Sequence, residues 1–448
     1  MQPPATDQIR AIERVPAELL GDIFAHTLPC LCRDASEASP TAPWWIGHIC
    51  SRWRSAALAH ASLWCDVSLY AAHHTPITVA SREEMLATLL ARSRGAPLRI
   101  QLHWSIYVAL AREGVSTLVN MVLQHSERWE TILVDIDASS AEPILDLLTH
   151  RARGRIPRLL ALDIRCNHVA RHGFWAAHDA FVDAPELTTL SITGPWFTSS
   201  SIASSLPLPR AQITTLRISF SHQHTAIDAL RAFPNLETLR LSVISGSRRL
   251  GQSDVVEFAD LRDLELNTES NILKWVTLPS LRSLHLLRGG LQLLAVPDML
   301  RRSRCPLVRL VIHSSCKAHT SEVLAVLALC PALRELKLVL HPGNPMSDQP
   351  LTPTEFIRAL VVGLDGDGAG VVPALTRLDL IVHVEGGLES GLNRDLVLRM
   401  LEAWAARARG TLKYARIAGL EGPVDVPPFA ATVLALKEGG MVLDLLAS

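Results

Sequence analysis

The stretch PNLETLRL, residues 234–241, sets Leu at its third, sixth and eighth positions. The last two alternate with a polar residue, which is the pattern of a short strand with one buried face. One such octet in a leucine-rich chain means nothing. The same register returns upstream as PRLLALDI (157–164), PELTTLSI (185–192) and AQITTLRI (211–218). Downstream it returns as ADLRDLEL (259–266), PSLRSLHL (279–286), CPLVRLVI (305–312), PALRELKL (331–338) and PALTRLDL (373–380). Successive starts lie 28, 26, 23, 25, 20, 26, 26 and 42 residues apart. A near-constant period of this length is the mark of a repeat array, in which each unit buries its apolar face only against its neighbours.

Helical patterns fill the intervals. TSEVLAVLAL (320–329) has Thr320 or Ser321 as a helix cap and Glu322 in the first turn. HTAIDALRAF (224–233) and LAVPDMLRRS (294–303) read the same way. Each unit is therefore a helix followed by a strand. Parallel strands sit about 4.8 Å apart, while packed helices need about 8–10 Å. Stacked units must curve, with strands inside the bend and helices outside. The expected fold class is α/β: a curved solenoid of parallel strands and outer helices. The register resembles the irregular leucine-rich repeat. The Asn that usually follows the strand in that family is not consistently present: Leu241 leads into Ser-Val-Ile. GLDGDGAGVV (363–372), in the longest interval, reads as a surface loop.

Residues 155–448 are assigned to the solenoid, and 70–154 to a linker with degenerate early repeats. In the latter, a helix over 82–93 precedes the alternation Leu98, Ile100, Leu102, and ERWETILVDI with AEPILDLLTHRAR supplies a further strand and helix. NRDLVLRMLEAWAARARG supplies a long helix before a weak strand, and LALKEGGMVLDLL reads as a helix, turn and strand that cap the far end.

Residues 1–11 read as a tail and 12–69 as a small helical domain. In VPAELLGDIFAHTLPC (15–30), Pro16 suits a first helical turn and Glu18 a helix N-terminus. Leu19, Leu20, Ile23 and Phe24 are expected on one face. After a polar, Pro-containing loop, Ile46, Ile49, Cys50, Trp53, Ala57 and His60 mark the stripe of a second helix. Leu63 and Trp64 follow as an apolar anchor, and DVSLY as a short strand. Two short helices with such wide apolar faces hold more apolar surface than they can bury, which points to a partner.

The pattern Val15-Pro16-Ala17-Glu18-Leu19-Leu20…Ile23-Phe24, then Ile49-Cys50…Arg52-Trp53-Arg54…Ala57 and Leu63-Trp64, resembles the F-box in the form common in basidiomycete fungi. Val15 stands where that form has Leu. The resemblance implies docking on the Skp-type adaptor of a cullin-based ubiquitin ligase. It assigns Val15, Pro16, Leu19, Leu20 and Ile23 to adaptor contact, and Phe24, Ile49, Trp53, Leu63 and Trp64 to the core of the F-box.

Composition narrows the rest. The 448 residues are 48% hydrophobic and 19% charged, with a formal net charge of −1. No basic excess exists for a phosphate backbone, so nucleic-acid binding is disfavoured. MQPPATDQIR lacks a secretory pattern and no apolar run reaches membrane-spanning length. Eight irregularly spaced cysteines read as buried thiols of a reducing compartment, cytoplasmic or nuclear.

No catalytic, cofactor or metal site is expected. GLDGDGAGVV lacks the GK[ST] ending of a phosphate loop and the twelfth-position Glu of a calcium loop. His26, Cys30, Cys32 and Cys50 do not make a convincing zinc set, because Cys50 falls on the core stripe. His73, His74, His222 and His224 read as solvated.

The expected function is a non-enzymatic substrate-recognition adaptor. The F-box would hold the Skp-type adaptor and cullin scaffold, and the repeats an unidentified client protein. The alternative is a repeat scaffold unconnected to ubiquitin. Client contacts would fall on outward strand positions such as Thr188, Thr189, Arg217, Thr238, Arg240, Arg262, Arg282, His285, Arg309, Lys337 and Asp379. The recurrence of Arg there allows for an acidic client surface.

Overall fold

The computed structural model describes residues 15–27, 43–70, 79–104, 112–136, 142–166, 179–193, 206–245, 255–268, 270–288, 290–313, 320–340, 353–365, 372–382, 392–407, 412–420 and 427–447. Its contacts divide the chain into two compact units, one of residues 1–196 with 204–213, the other of 197–203 with 214–448. The opening helices therefore group with the first strands, and the contacts draw no line at residue 69 or 154.

The first unit opens with helix α1 (Ala17–Thr27), a 3-10 turn (Trp44–His48), helix α2 (Ser51–Ala59) and a second 3-10 turn (Ala61–Trp64). Strands β1 (Asp66–Tyr70), β2 (Leu98–Trp104), β3 (Trp129–Ile136), β4 (Ala161–Cys166) and β5 (Thr189–Thr193) follow. Helices α3 (Val79–Arg92), α4 (Arg112–Leu123) and α5 (Glu142–Ala152) lie between them in sequence. All pairings are parallel and run in chain order. Apart from a shift between Leu98 and Arg99 where β2 meets β3, the register carries across the strands: Val67, Ile100, Ile132, Leu162 and Leu190 stand side by side, as do Leu69, Leu102, Val134, Ile164 and Ile192.

The stretch after residue 70 thus carries repeats aligned with the later ones, with some of the leucines replaced, as at Ile100, Ile132 and Val134. Trp129 takes the third-position place that Leu159 and Leu187 hold later, and all three are buried. Below them, Arg128 is buried and donates to the Ala96 carbonyl (2.9 and 3.0 Å) and the Ser93 hydroxyl (2.7 Å), so its charge closes the turn before β2.

The second unit holds β6 (Thr215–His222), β7 (Thr238–Ser245), β9 (Asp263–Thr268), β11 (Ser283–Arg288), β12 (Arg309–His313), β13 (Glu335–Leu340), β14 (Arg377–Val382), β15 (Tyr414–Leu420) and β16 (Val442–Ala447). They pair parallel in that order. The two-residue strands β8 (Val256–Glu257) and β10 (Val276–Thr277) pair apart from them. Helices α6 (Gln223–Leu230), α7 (Gly290–Ser303), α8 (Thr320–Ala328), α9 (Pro353–Asp365), α10 (Arg394–Arg407) and α11 (Pro427–Glu438) connect strands, and α7 through α11 pack in succession. The shortest interval, before PSLRSLHL, holds a 3-10 turn (Ile272–Trp275), because 20 residues leave no room for a full helix. The far end is the helix, Gly439–Gly440 turn and strand that the sequence implied, with Gly440 at φ 91°.

Each octet contributes three side chains to the core. In PNLETLRL these are Leu236, Leu239 and Leu241, and their counterparts in the other eight octets are equally buried. Leu216, Leu239, Leu264, Leu284, Leu310, Leu336 and Leu378 are paired across adjacent strands. A second ladder is made by the backbone. From Thr214 to Thr376, the carbonyl of the fourth octet residue accepts two backbone N–H groups from the next repeat. Arg262 O takes Arg282 N and Ser283 N (2.8 and 2.9 Å), Arg282 O takes Val308 N and Arg309 N, and Val308 O takes Arg334 N and Glu335 N. Polar backbone at the strand starts is thereby satisfied without a side chain.

Two expectations need adjustment. Thr320 is already helical, and the residue that caps α8 lies outside the described residues. GLDGDGAGVV begins as the last turn of α9, and its centre, 366–371, also lies outside them.

Candidate functional site

Helix α1 splits its apolar residues between two directions. Leu20 and Phe24 are 1% and 3% exposed, while Leu19 and Ile23 are 53% and 48% exposed. Neighbouring residues on a helix differ by about 100° in direction, so two i, i+4 pairs offset by one make two stripes. The single broad face expected for these four residues is corrected accordingly. Leu20, assigned to adaptor contact, is core. Val15 is half-buried and packs on that core, and Pro16 is exposed.

The core beneath comprises Leu20, Phe24, Ile46, Ala56, Ala57, Leu63 and Trp64, with Trp44 and Trp53 packed against it. Phe24 meets Trp53 at 4.8 Å between ring centroids, and Trp44 meets Trp64 edge-on at 5.0 Å. The buried Trp64 indole donates to the Ala57 carbonyl at 2.7 Å. Arg52 donates to the Val15 carbonyl, tying the start of α1 to α2.

Ile49, assigned to this core, is 51% exposed. The expected long second helix breaks there: the 3-10 turn ends at His48, and Cys50 becomes the extended residue that caps α2, its sulfur accepting from Trp53 N. Breaking the helix shifts the phase, so Ile46 points inward while Ile49 and Cys50 face solvent.

Three positions that sequence reasoning passed over hold this arrangement. Gly21 is buried, and a Cβ there would run into the ring of His60. That ring sits 3.6 Å from the Asp22 carboxylate. Arg92, at the end of α3, lies over both Trp44 (4.7 Å) and Trp64 (4.4 Å), so the first repeat clasps the helical opening through a cation on two indoles. Burial lowers its pKa from the ordinary guanidinium value. Trp44 completes the stack. The glycine signal was present in the sequence, since a Gly inside a helix costs about 1 kcal/mol against Ala and needs a reason.

The outward stripe borders a shallow depression of about 520 Å³ lined by Val15, Leu19, Asp22, Ile23, His26 and Thr27. Its floor is almost wholly apolar, and its three polar residues have local partners: the Asp22 carboxylate lies 3.6 Å from the His60 ring, His26 Nδ1 lies 2.8 Å from the Asp22 carbonyl, and Thr27 donates to Phe24 O at 3.1 Å. The contact surface it offers is mainly that of Leu19 and Ile23.

Elsewhere, no group of three or more metal-ligating side chains occurs among the described residues. Cys30, Cys32, His73 and His74 lie outside them. No described helix is long and apolar enough to cross a membrane.

On the strand face, several arginines expected to meet a client are already engaged. Arg309 meets Glu335 at 2.7 Å, Arg240 meets Glu265 at 3.6 Å, and Arg262 reaches Glu237 at 4.0 Å. Asp379 is only 8% exposed and paired with Arg377 at 3.0 Å, which corrects its place among outward contacts. Arg217 and Arg282 are exposed, and Lys337 and His285 are half-buried.

These features define a leucine-rich-repeat-like α/β array preceded by a small helical module. No family model matches the chain, and no curated protein matches it significantly. Among solved structures, a chain from the crystal structure of the Rad7 and Elc1 complex in yeast is similar over 91% of this chain and 98% of its own, at 13% identity and a TM-score of 0.40. A likeness that loose decides neither family nor partner.

Proposed function

We propose that this chain is the substrate-recognition subunit of a Skp–cullin–F-box ubiquitin ligase. The observation that carries the reading is the outward Leu19–Ile23 stripe of α1, exposed beside an apolar depression while the inward stripe closes the core. It falls on the residues that the F-box resemblance assigns to adaptor contact. Burying Leu19 and Ile23 on a partner would contribute about 1.5–3 kcal/mol each before the costs of association.

The repeats would hold the client. Transfer of ubiquitin would then need no catalytic residue in this chain, because holding client and loaded enzyme together raises their effective concentration. Such a role belongs to the cytoplasm or nucleus.

Co-purification with a Skp-type adaptor and cullin tests the reading. Wild type should capture both, and Leu19→Asp with Ile23→Asp should lose both while melting at the wild-type temperature. Leu20→Asp is unsuitable for this test, since it places a charge in the core. If wild type captures neither at micromolar concentrations, the chain is a repeat scaffold without a ligase.

A further inference from the structure

The strand starts of the second unit carry a row of positive charge, most of it without a carboxylate partner. The fourth octet position, just ahead of each strand, is held from β9 to β15 by Arg262, Arg282, Val308, Arg334, Thr376 and Lys413. The backbone of these six residues is one continuous hydrogen-bonded ladder: beyond the bonds already given, Arg334 O takes Thr376 N (2.8 Å) and Arg377 N, and Thr376 O takes Lys413 N (2.9 Å) and Tyr414 N. The four cations are exposed, and the uncharged Val308 and Thr376 between them are half-buried.

One or three positions further along the octet, cations have carboxylates: Arg309 with Glu335, Arg377 with Asp379, Arg416 with Asp444 at 3.4 Å. At the fourth position, Arg262 has only Glu237 at 4.0 Å, and no ion pair among the described residues reaches Arg282, Arg334 or Lys413.

We propose that this row docks an acidic, extended segment of a partner protein lying across the strand starts, Arg282, Arg334 and Lys413 taking its carboxylates. The proposal deepens the client reading of the repeats and rests on it. Spacing gives it a sequence code. Adjacent strands are about 4.8 Å apart, so cations two strands apart are separated by about 10 Å; an extended peptide advances about 3.3 Å per residue. Carboxylates at every third residue match the row.

A single-stranded nucleic acid fits less well. Such ligands need aromatic platforms as well as charge. The aromatic residue on the adjoining strand positions, Tyr414, already has the Arg377 guanidinium over its ring at 4.5 Å.

Fluorescence anisotropy on the full chain tests this, using a labelled peptide of repeating Glu-Ser-Gly, its Gln counterpart, a peptide with the same glutamates clustered at one end, and an oligouridine. The Glu-Ser-Gly peptide should bind best, about tenfold or more above the Gln peptide, and weaken as salt rises. Arg282→Glu with Arg334→Glu and Lys413→Glu should abolish the preference, Arg334→Glu alone should reduce it, and both variants should melt as wild type does. Equal binding of the Glu and Gln peptides, equal binding of the spaced and clustered peptides, or an unchanged affinity in the triple variant would overturn the proposal. Tighter binding of oligouridine through the same residues would overturn it too. Adaptor capture by the triple variant should persist, which separates failure of the row from failure of the ligase reading.

Discussion

The octets and helix α1 spend their leucines differently. Leu236, Leu239 and Leu241 are at most 3% exposed, because each strand is flanked by others that present the same residues in the same register. In α1, Leu19 and Leu20 are chain neighbours, yet one is 53% and the other 1% exposed. A repeat array supplies its own cover by stacking, whereas a module of two short helices has only one inward side. The lesson is that an exposed i, i+4 apolar pair beside a closed core, Leu19 and Ile23, sits on the module that does not repeat.

Core truncation should give the largest effect. Leu310→Ala in the array and Leu20→Ala in α1 should each cost about 2–5 kcal/mol in chemical denaturation. Leu19→Ala, one residue away from Leu20, should stay within about 0.5 kcal/mol. Comparable losses at Leu19 and Leu20 would erase the two-stripe description. Next comes Gly21→Ala, which must displace the His60 ring and should cost about 1–3 kcal/mol despite raising helix propensity; a stabilised variant would mean that the close approach is not real.

Arg92→Ala tests how the helical opening is clasped by the first repeat. Loss of its contact with Trp44 and Trp64 should cost about 0.5–2 kcal/mol and increase proteolytic nicking near residues 43–64, whereas Arg92→Lys should recover part of it.

The smallest effect is one of pH. Burial lowers the pKa of His285 from its ordinary 6.5, assisted by Arg309 and Arg240 and opposed by Glu265 and Asp263. The unfolded chain then binds the proton more readily, so stability is full above about 6.5 and falls as pH drops below it. His285→Gln should flatten that part of a stability-against-pH curve. An unchanged slope would put the titration elsewhere, with His125, also lowered by burial, as the first alternative.

Much of the array was legible because its signal repeats. LxxLxL at nine places gives nine strands, and even the early units declared themselves through Ile100, Leu102, Ile132 and Val134. What the sequence hid was phase. Four apolar residues within six positions fit one broad helical face or two narrow ones, and only the packing of Trp53 and Ala57 decides that Leu20 and Phe24 turn inward. Ile49 misled for a related reason: its period continued a helix that the backbone breaks at Cys50. The ion pairs across neighbouring strands were also hidden, since Arg309 and Glu335 are 26 residues apart and meet only through register.

Hydrogen–deuterium exchange of the full chain with and without a purified Skp-type adaptor tests the central claim most directly. Amides of Ala17–Thr27 should exchange more slowly once the adaptor is added, with the octets from 234 to 340 unchanged. If α1 exchanges at the same rate and protection appears on the repeats instead, or nowhere, the outward stripe is not the docking surface.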